Sequence, residues 1–162
     1  MRVGVPREIK VLENRVGLTP ASVRELVARG HVVVVEHDAG AGIGLSDDTY
    51  AAAGATVAPD ADAVFAGADM SVKVKEPQPA ECARLKPGQI LFTYLHLAPD
   101  PAQAKALIGS GAVCIAYETV TSPRGGLPLL APMTEVAGRM AVQAGAFLLE
   151  KPHGGKGLLL GG

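Results

Sequence analysis

The chain has 162 residues and a formal net charge of -1, enough for one compact domain with a core of its own. With 48% hydrophobic and 19% charged residues it is neither a disordered chain nor a coiled coil, and the balanced charge gives nucleic-acid binding no electrostatic support. No apolar run is long enough to span a bilayer, and Met1-Arg2-Val3-Gly4-Val5-Pro6 leads directly into a strand pattern without a signal peptide.

In chain order, Val3 to Val5 is a short apolar start. Thr19-Pro20 reads as an N-cap with proline at the first helical position; Val23, Leu26 and Val27 follow at helical spacing, and Gly30 closes the helix. Val32 to Val35 is a continuous β-branched run, the mark of a strand buried on both faces. Ser46 caps a short helix through Ala53, and Asp62 to Gly67 gives a weaker helical pattern. Met70 to Val74 and Ile90 to Tyr94 read as strands, Asp100-Pro101 opens a helix through Ile108, and Val113 to Ala116 is a further strand. Such alternation predicts an α/β fold, a parallel sheet flanked by helices, whose ligand sits beyond the carboxyl ends of the strands.

After Pro132 the texture changes. Thr134 to Glu150 reads as one long helix with Ala137, Gly138, Ala141, Ala144 and Gly145 as close-packing positions, and Val136, Met140, Phe147 and Leu148 along another side. A helix apolar around most of its circumference must bury more than one face. Self-association through it is therefore expected, closest at Gly138 or Gly145, with Gly145→Leu weakening assembly. The tail from 154 to 162 reads as a strand between glycine hinges. Cys82 and Cys114 lie far apart without metal-ligand spacing and read as two reduced thiols in a cytosolic protein, so no metal site is expected.

Three polar side chains fall where such a sheet places its ligands. His96, just past Ile90 to Tyr94, carries an imidazole able to exchange a proton near neutrality; the alternative is a histidine satisfied by a backbone carbonyl. Lys75 follows Met70 to Val74. On a strand it would share a face with Lys73, and its ammonium could hold a carboxylate or polarise a keto oxygen; the alternative is a pair of solvated lysines on an edge strand. Arg15, in the loop before the first helix, could grip a carboxylate with two parallel hydrogen bonds, or be an exposed loop arginine. Gly40-Ala41-Gly42-Ile43-Gly44 follows a strand, but Leu45 stands one place after the last of these glycines, where the dinucleotide fingerprint needs its third glycine. Gly154-Gly155-Lys156-Gly157 lacks the spacing and hydroxyl of a phosphate loop.

Taken together these segments resemble a known family. Arg2-Val3-Gly4-Val5-Pro6-Arg7-Glu8 and Glu13-Asn14-Arg15-Val16-Gly17-Leu18-Thr19-Pro20 are similar to the opening signature shared by alanine dehydrogenases and the α subunit of proton-translocating nicotinamide nucleotide transhydrogenase. Val74-Lys75-Glu76-Pro77, Ile90 to Ala98, Ala116 to Val120 and Leu127 to Arg139 look like alanine dehydrogenase rather than the transhydrogenase. The resemblance covers the whole chain, with Gly17 where alanine is common, a harmless departure.

The resemblance implies reversible oxidative deamination of L-alanine to pyruvate and ammonium, hydride passing to NAD. Arg15 and Lys75 would bind the substrate, Tyr94 would line its pocket, His96 would be the acid/base, and Thr134, where the family usually has serine, would touch the nucleotide. It also implies a flavodoxin-like or Rossmann-like catalytic domain over 1–130, with a long connecting helix and the start of a nucleotide-binding domain over 131–162. A cytoplasmic homo-oligomer is implied, a hexamer in the family. The glycine-rich nucleotide-binding domain and its aspartate fall outside the chain, which is expected to be an inactive fragment by itself. Arg15, Lys75 and His96 should converge within about 10 Å, one small-substrate length. The rival readings are a non-catalytic assembly module, a stand-alone keto-acid-binding domain, and a fragment of the transhydrogenase α subunit.

Overall fold

A computed structural model describes residues 1–161 of the chain. They form two compact units, Met1–Tyr117 and a second that begins at Glu118. The first unit is built on a parallel sheet of β1 (Arg2–Val5), β2 (Val32–Glu36), β3 (Thr56–Ala58), β4 (Met70–Val72), β5 (Ile90–Thr93) and β6 (Val113–Ala116). Its strand order is β3-β2-β1-β4-β5-β6 and every pairing is parallel. The helices between strands are α1 (Pro20–Ala28), α2 (Asp47–Ala52), α3 (Ala61–Gly67), the single turn α4 (Pro79–Cys82) and α5 (Pro101–Ser110).

Local chemistry accounts for the helix starts. Thr19 accepts a hydrogen bond from the Ser22 amide and Pro20 fills the first turn of α1. Asp60 and Asp100 cap α3 and α5 in the same way. Ser46 precedes α2 without a side-chain cap; its carbonyl instead accepts from Thr49 Oγ1 at 2.6 Å. Gly111, in the left-handed region, ends α5 two residues beyond the expected Ile108.

The strands sort their valines onto two faces. Val3, Val5, Val33, Val35 and Val72 pack with Val23 of α1 and Tyr50 of α2. Val34 points the other way, toward Ala58 and Val64. Each such side chain contributes about 1.5–3 kcal/mol on burial. A third cluster joins Phe65, Cys82, Leu85, Leu91, Leu95 and Leu107. Gly4 is a close-approach position, for a Cβ there would lie 2.8 Å from Val64 Cγ1 and 2.9 Å from Ala68 Cβ. Its bareness lets α3 settle onto β1.

In the second unit, α6 spans Ala131–Leu149. It starts earlier than the expected Thr134 because Pro132 is tolerated in the first turn, where its missing donor leaves no bond unmade. None of its residues is buried. The expected strand from 154 to 162 is absent among the described residues. Lys151–His153 forms one 3-10 turn closed by left-handed Gly154. The Gly155 amide then donates to Glu150 O at 2.9 Å and the Gly157 amide to Leu149 O at 2.8 Å. The carbonyls left over at the helix end capture the tail, which has no sheet to join. Gly162 lies outside the described residues. Among those residues no helix is long and apolar enough to cross a membrane.

Candidate active site

The loops after β1, β4 and β5 carry the polar side chains singled out above, at the carboxyl ends of neighbouring strands. Arg15 lies in the loop between β1 and α1 and is fixed by Glu13. Its backbone amide and Nε donate to Glu13 Oε1 at 2.9 and 2.8 Å, and one terminal nitrogen donates to Oε2 at 2.5 Å. The Glu13 side chain is 6% exposed and that of Arg15 39%. The Arg15 hydrogen bond holds the Glu13 carboxyl below its ordinary range, against the opposing effect of burial, and the Lys75 charge acts in the same direction. Glu13 thus senses both cations.

The segment after β4 departs from the sequence reading. The strand ends at Val72, so Lys73 and Lys75 do not share a strand face. Nor is β4 an edge, since it lies between β1 and β5. Lys73 is fully buried. Its Nζ donates to Glu8 Oε2 at 2.9 Å and pairs with Glu81 Oε1 at 2.7 Å, both carboxylate side chains being 2% exposed. Burial pushes the Glu81 carboxyl up even though Lys73 opposes it. Lys75 is partly exposed, and its carbonyl accepts from Thr93 Oγ1 at 2.9 Å.

His96 follows β5 with φ of 46°, in the left-handed region that is uncommon outside glycine. The buried Gln103 of α5 donates to the preceding carbonyl, Leu95 O, at 2.9 Å. The imidazole stacks on Tyr94 with centroids 5.9 Å apart, and its Nδ1 lies 3.4 Å from Glu76 Oε2. Glu76 is also paired with Lys10. Its burial favours the neutral acid, but the Lys10 hydrogen bond and charge keep the carboxyl below its ordinary range. Tyr94 also meets Tyr117 edge to face at 5.0 Å, and Tyr117 meets Phe92 in the same manner at 4.4 Å. Burial raises the Tyr117 phenol well above its usual value, with Glu8 adding to the effect.

A cleft of about 290 Å³ beside Arg15 is lined by Glu8, Glu13, Asn14 and Arg15 together with Arg7 and Gly42; Lys75, Tyr94 and His96 are not among its walls. The glycine-rich stretch after β2 forms a 3-10 turn, Ala41–Ile43, and a Cβ on Gly42 would lie 2.8 Å from Asn14 O. That loop is packed against the Arg15 loop and offers no phosphate cradle. Gly17 is likewise a close-approach position, because a Cβ there would lie 2.4 Å from Val72 O. In the second unit, Thr134 sits in the first turn of α6 and donates to Leu130 O at 3.2 Å. Both cysteines are free. His37, Asp38 and Asp47 come within 4.8 Å of one another, a grouping the sequence did not suggest. His37 Nδ1 lies 2.5 Å from Asp47 Oδ2, and the Asp38 amide donates to Asp47 Oδ1 at 3.0 Å, closing the turn after β2.

Sequence reasoning missed Glu13, Glu76, Glu8 and the pairing of Lys73. Glu13 and Glu76 stand near residues it did single out, but acidic residues next to basic ones are routine in loops and carry no signal by themselves; Glu8 lies 65 positions from Lys73.

Comparison with known proteins bears on the family and the fold. The family model for the alanine dehydrogenase/PNT N-terminal domain matches residues 4–137. Alanine dehydrogenase of Halomonas elongata is 59% identical over 162 residues, all of this chain and 44% of the relative. That of Bacillus subtilis is 54% identical, over all of this chain and 42% of the relative. A solved L-alanine dehydrogenase superposes with a TM-score of 0.89 at 52% identity, covering 100% of this chain and 45% of that one. A transhydrogenase from Sinorhizobium meliloti reaches a TM-score of 0.69 at 30% identity, over 73% of this chain and 35% of its own. The chain therefore spans less than half the length of these relatives, and it belongs to the alanine dehydrogenase/PNT family through that family's N-terminal domain.

Proposed function

We propose that this chain is the keto-acid-binding half of an NAD-dependent L-alanine dehydrogenase, which interconverts L-alanine with pyruvate and ammonium. The observation that supports this most directly is that Arg15, Lys75 and His96 lie in the loops after the neighbouring strands β1, β4 and β5. One buried carboxylate, Glu13, is held by Arg15 and sensed by Lys75. Arg15 is in electrostatic reach of Tyr94, whose ring stacks on His96. Two cations and an imidazole in loops at neighbouring strand ends suit a short α-keto acid.

In this reading Arg15 and Lys75 hold the substrate carboxylate and the keto or amino group. Holding the reactants in one orientation removes much of the entropic barrier to carbinolamine formation. In the direction of amination His96 delivers a proton to the keto oxygen as ammonia adds, takes one back from the added nitrogen, and gives it to the hydroxyl that leaves as water when the carbinolamine collapses to the imine. Tyr94 walls the pocket. NAD would supply the hydride acceptor. Among the described residues only Thr134 is assigned to it, since the one glycine-rich loop of the sheet unit is closed by Asn14. Nucleotide binding is therefore assigned to the remaining length of the relatives. Residues 1–130 are proposed as the substrate domain and 131–162 as the connection to the nucleotide-binding part, within a cytoplasmic homo-oligomer.

The test is a chimera in which this chain replaces the matching segment of the Halomonas elongata enzyme. Alanine-dependent NAD reduction is expected. His96→Ala should lower kcat about 10²–10⁴-fold, and Lys75→Ala should lower kcat/KM at least about 10²-fold. A chimera that folds but reduces no NAD with alanine, or one indifferent to both substitutions, would overturn the proposal.

A further inference from the structure

The segment Lys73–Gln78 has no regular secondary structure, although it carries Lys75 and, beside it, the partner of His96. A six-residue stretch of irregular backbone is normally the least fixed part of a fold, and its amides need partners wherever water is excluded. Here the amides at both ends of the stretch have partners. The Lys73 amide donates to Phe92 O at 3.1 Å, in continuation of the sheet. The amides of Val74 and Lys75 both donate to Glu8 Oε1, at 2.6 and 3.3 Å. Pro77 has no N–H to satisfy. The Gln78 amide donates to Glu81 Oε2 at 2.8 Å. The two carboxylates that hold the ends of the segment are tied to each other by one ammonium, that of Lys73, bonded to the second oxygen of each.

We infer that the buried triad Glu8–Lys73–Glu81 is a positioning clamp, which holds the segment Lys75-Glu76-Pro77 at both ends so that Lys75 meets the substrate in a fixed place. The inference rests on the proposed role of Lys75 and adds three positioning residues to it. The clamp reaches across the fold, from the loop after β1, which also leads to Arg15, to the first turn of α4. A purely structural role is the competing explanation, and a buried ion triad is a poor device for it. Well-packed apolar side chains commonly hold such a site as well or better, whereas removing one partner alone leaves an uncompensated buried charge. What apolar side chains cannot do is accept from the amides of 74, 75 and 78.

That difference defines the experiment, made on the 162-residue chain itself with pyruvate as the probe. Amide exchange and pyruvate affinity are read by nuclear magnetic resonance for the unaltered chain, for Glu8→Gln, and for the apolar replacement Glu8→Met/Lys73→Met/Glu81→Leu. The triple variant keeps the site filled if the single one unfolds. The triple variant, which loses the acceptors, is expected to exchange the Lys75 amide at least about tenfold faster and to bind pyruvate about tenfold more weakly, a loss of about 1.4 kcal/mol, while Glu8→Gln, whose carbonyl oxygen can still accept, should change both in the same direction by less. The folded triple variant should show this even where its melting temperature matches the parent. If it keeps the parental pyruvate affinity, the triad serves only the fold and the inference fails. Unchanged exchange at Lys75 and Gln78 refutes the clamp directly. If the unaltered chain binds no pyruvate, the substrate reading fails and takes the positioning role with it, a result distinct from the other two.

Discussion

The sheet unit and the long helix are made of similar apolar material and treat it differently. In the sheet unit Tyr50, Phe65, Leu91, Val3, Val5, Val33 and Val35 are buried to 1% exposure or less. In α6, Val136, Met140, Val142, Phe147 and Leu148 are all more than half exposed. The contrast teaches that apolar content does not decide burial. A buried strand needs an element laid on each face, and here the crossover helices provide it. A helix apolar on several sides needs partners on several sides. The described residues of its own unit give α6 little more than a returning tail, with Leu160 Cδ1 3.8 Å from the Cβ position of Gly145.

The sharpest way to break this comparison is to truncate one large side chain in each unit. Phe65→Ala should cost about 3–5 kcal/mol, since a fully buried ring is lost from a packed cluster. Lys73→Met alone should cost a similar amount, because Glu8 and Glu81 would be left buried without their cation. Met140→Ala should change stability by less than about 0.5 kcal/mol in the dilute monomer. Urea denaturation monitored by circular dichroism gives all three. A Met140→Ala cost equal to that of Phe65→Ala would mean that α6 is buried in solution and that the contrast is false.

The next effect is one of association. If copies of the chain cover α6, then Gly138 is the better probe, since its Cβ position has no neighbour within 4 Å, while that of Gly145 faces the chain's own tail. Gly138→Leu is expected to weaken self-association by about 1–3 kcal/mol through overpacking, read by light scattering across a concentration series. Equal self-association of parent and variant, or a monomer at high micromolar concentration in both, would leave α6 without this partner.

Much of this was legible in the sequence because it depends on local signals. The Thr19-Pro20 and Asp100-Pro101 starts are chemistry within one turn, and the run Val32 to Val35 announces a strand covered on both faces. The strand Thr56–Ala58 and the turn of helix Pro79–Cys82 were not anticipated, being too short to show a period. The site was half legible. Arg15, Lys75 and His96 were marked by strand ends and by the family resemblance. Their acidic partners were not, because Glu8 meets Lys73 across 65 positions and that pairing exists only once β1 and β4 lie side by side. Lys73 is the clearest case. Alternation along a strand made it the equal of Lys75, whereas the strand stops at Val72 and the backbone turns it into the interior.

The smallest expected effect separates the rim of the site from its interior by pH. The Glu13 carboxyl is lowered from 4.5, chiefly by the Arg15 hydrogen bond. A carboxyl with a depressed folded-state pKa contributes stability that is fully present above its unfolded value and is lost as pH falls through the folded value. The window therefore opens near 4.5 and extends downward. Glu81 has the opposite sign, because its carboxyl is raised and its ionised form is the costly one. Its contribution is present below its unfolded value and is lost as pH rises through the folded one. Comparing the parent with Glu13→Gln cancels Glu81 and Glu76, which both proteins share. The parent should be the more stable at pH 7, by less than about 1 kcal/mol since Arg15 is partly solvated. The gap should narrow as pH falls below 4.5 and Glu13 takes up its proton. Urea midpoints at pH 7, 5, 4 and 3 measure it. A gap that persists unchanged at pH 3 would mean that the glutamine disturbs packing, and that the charge on Glu13 is not what holds Arg15.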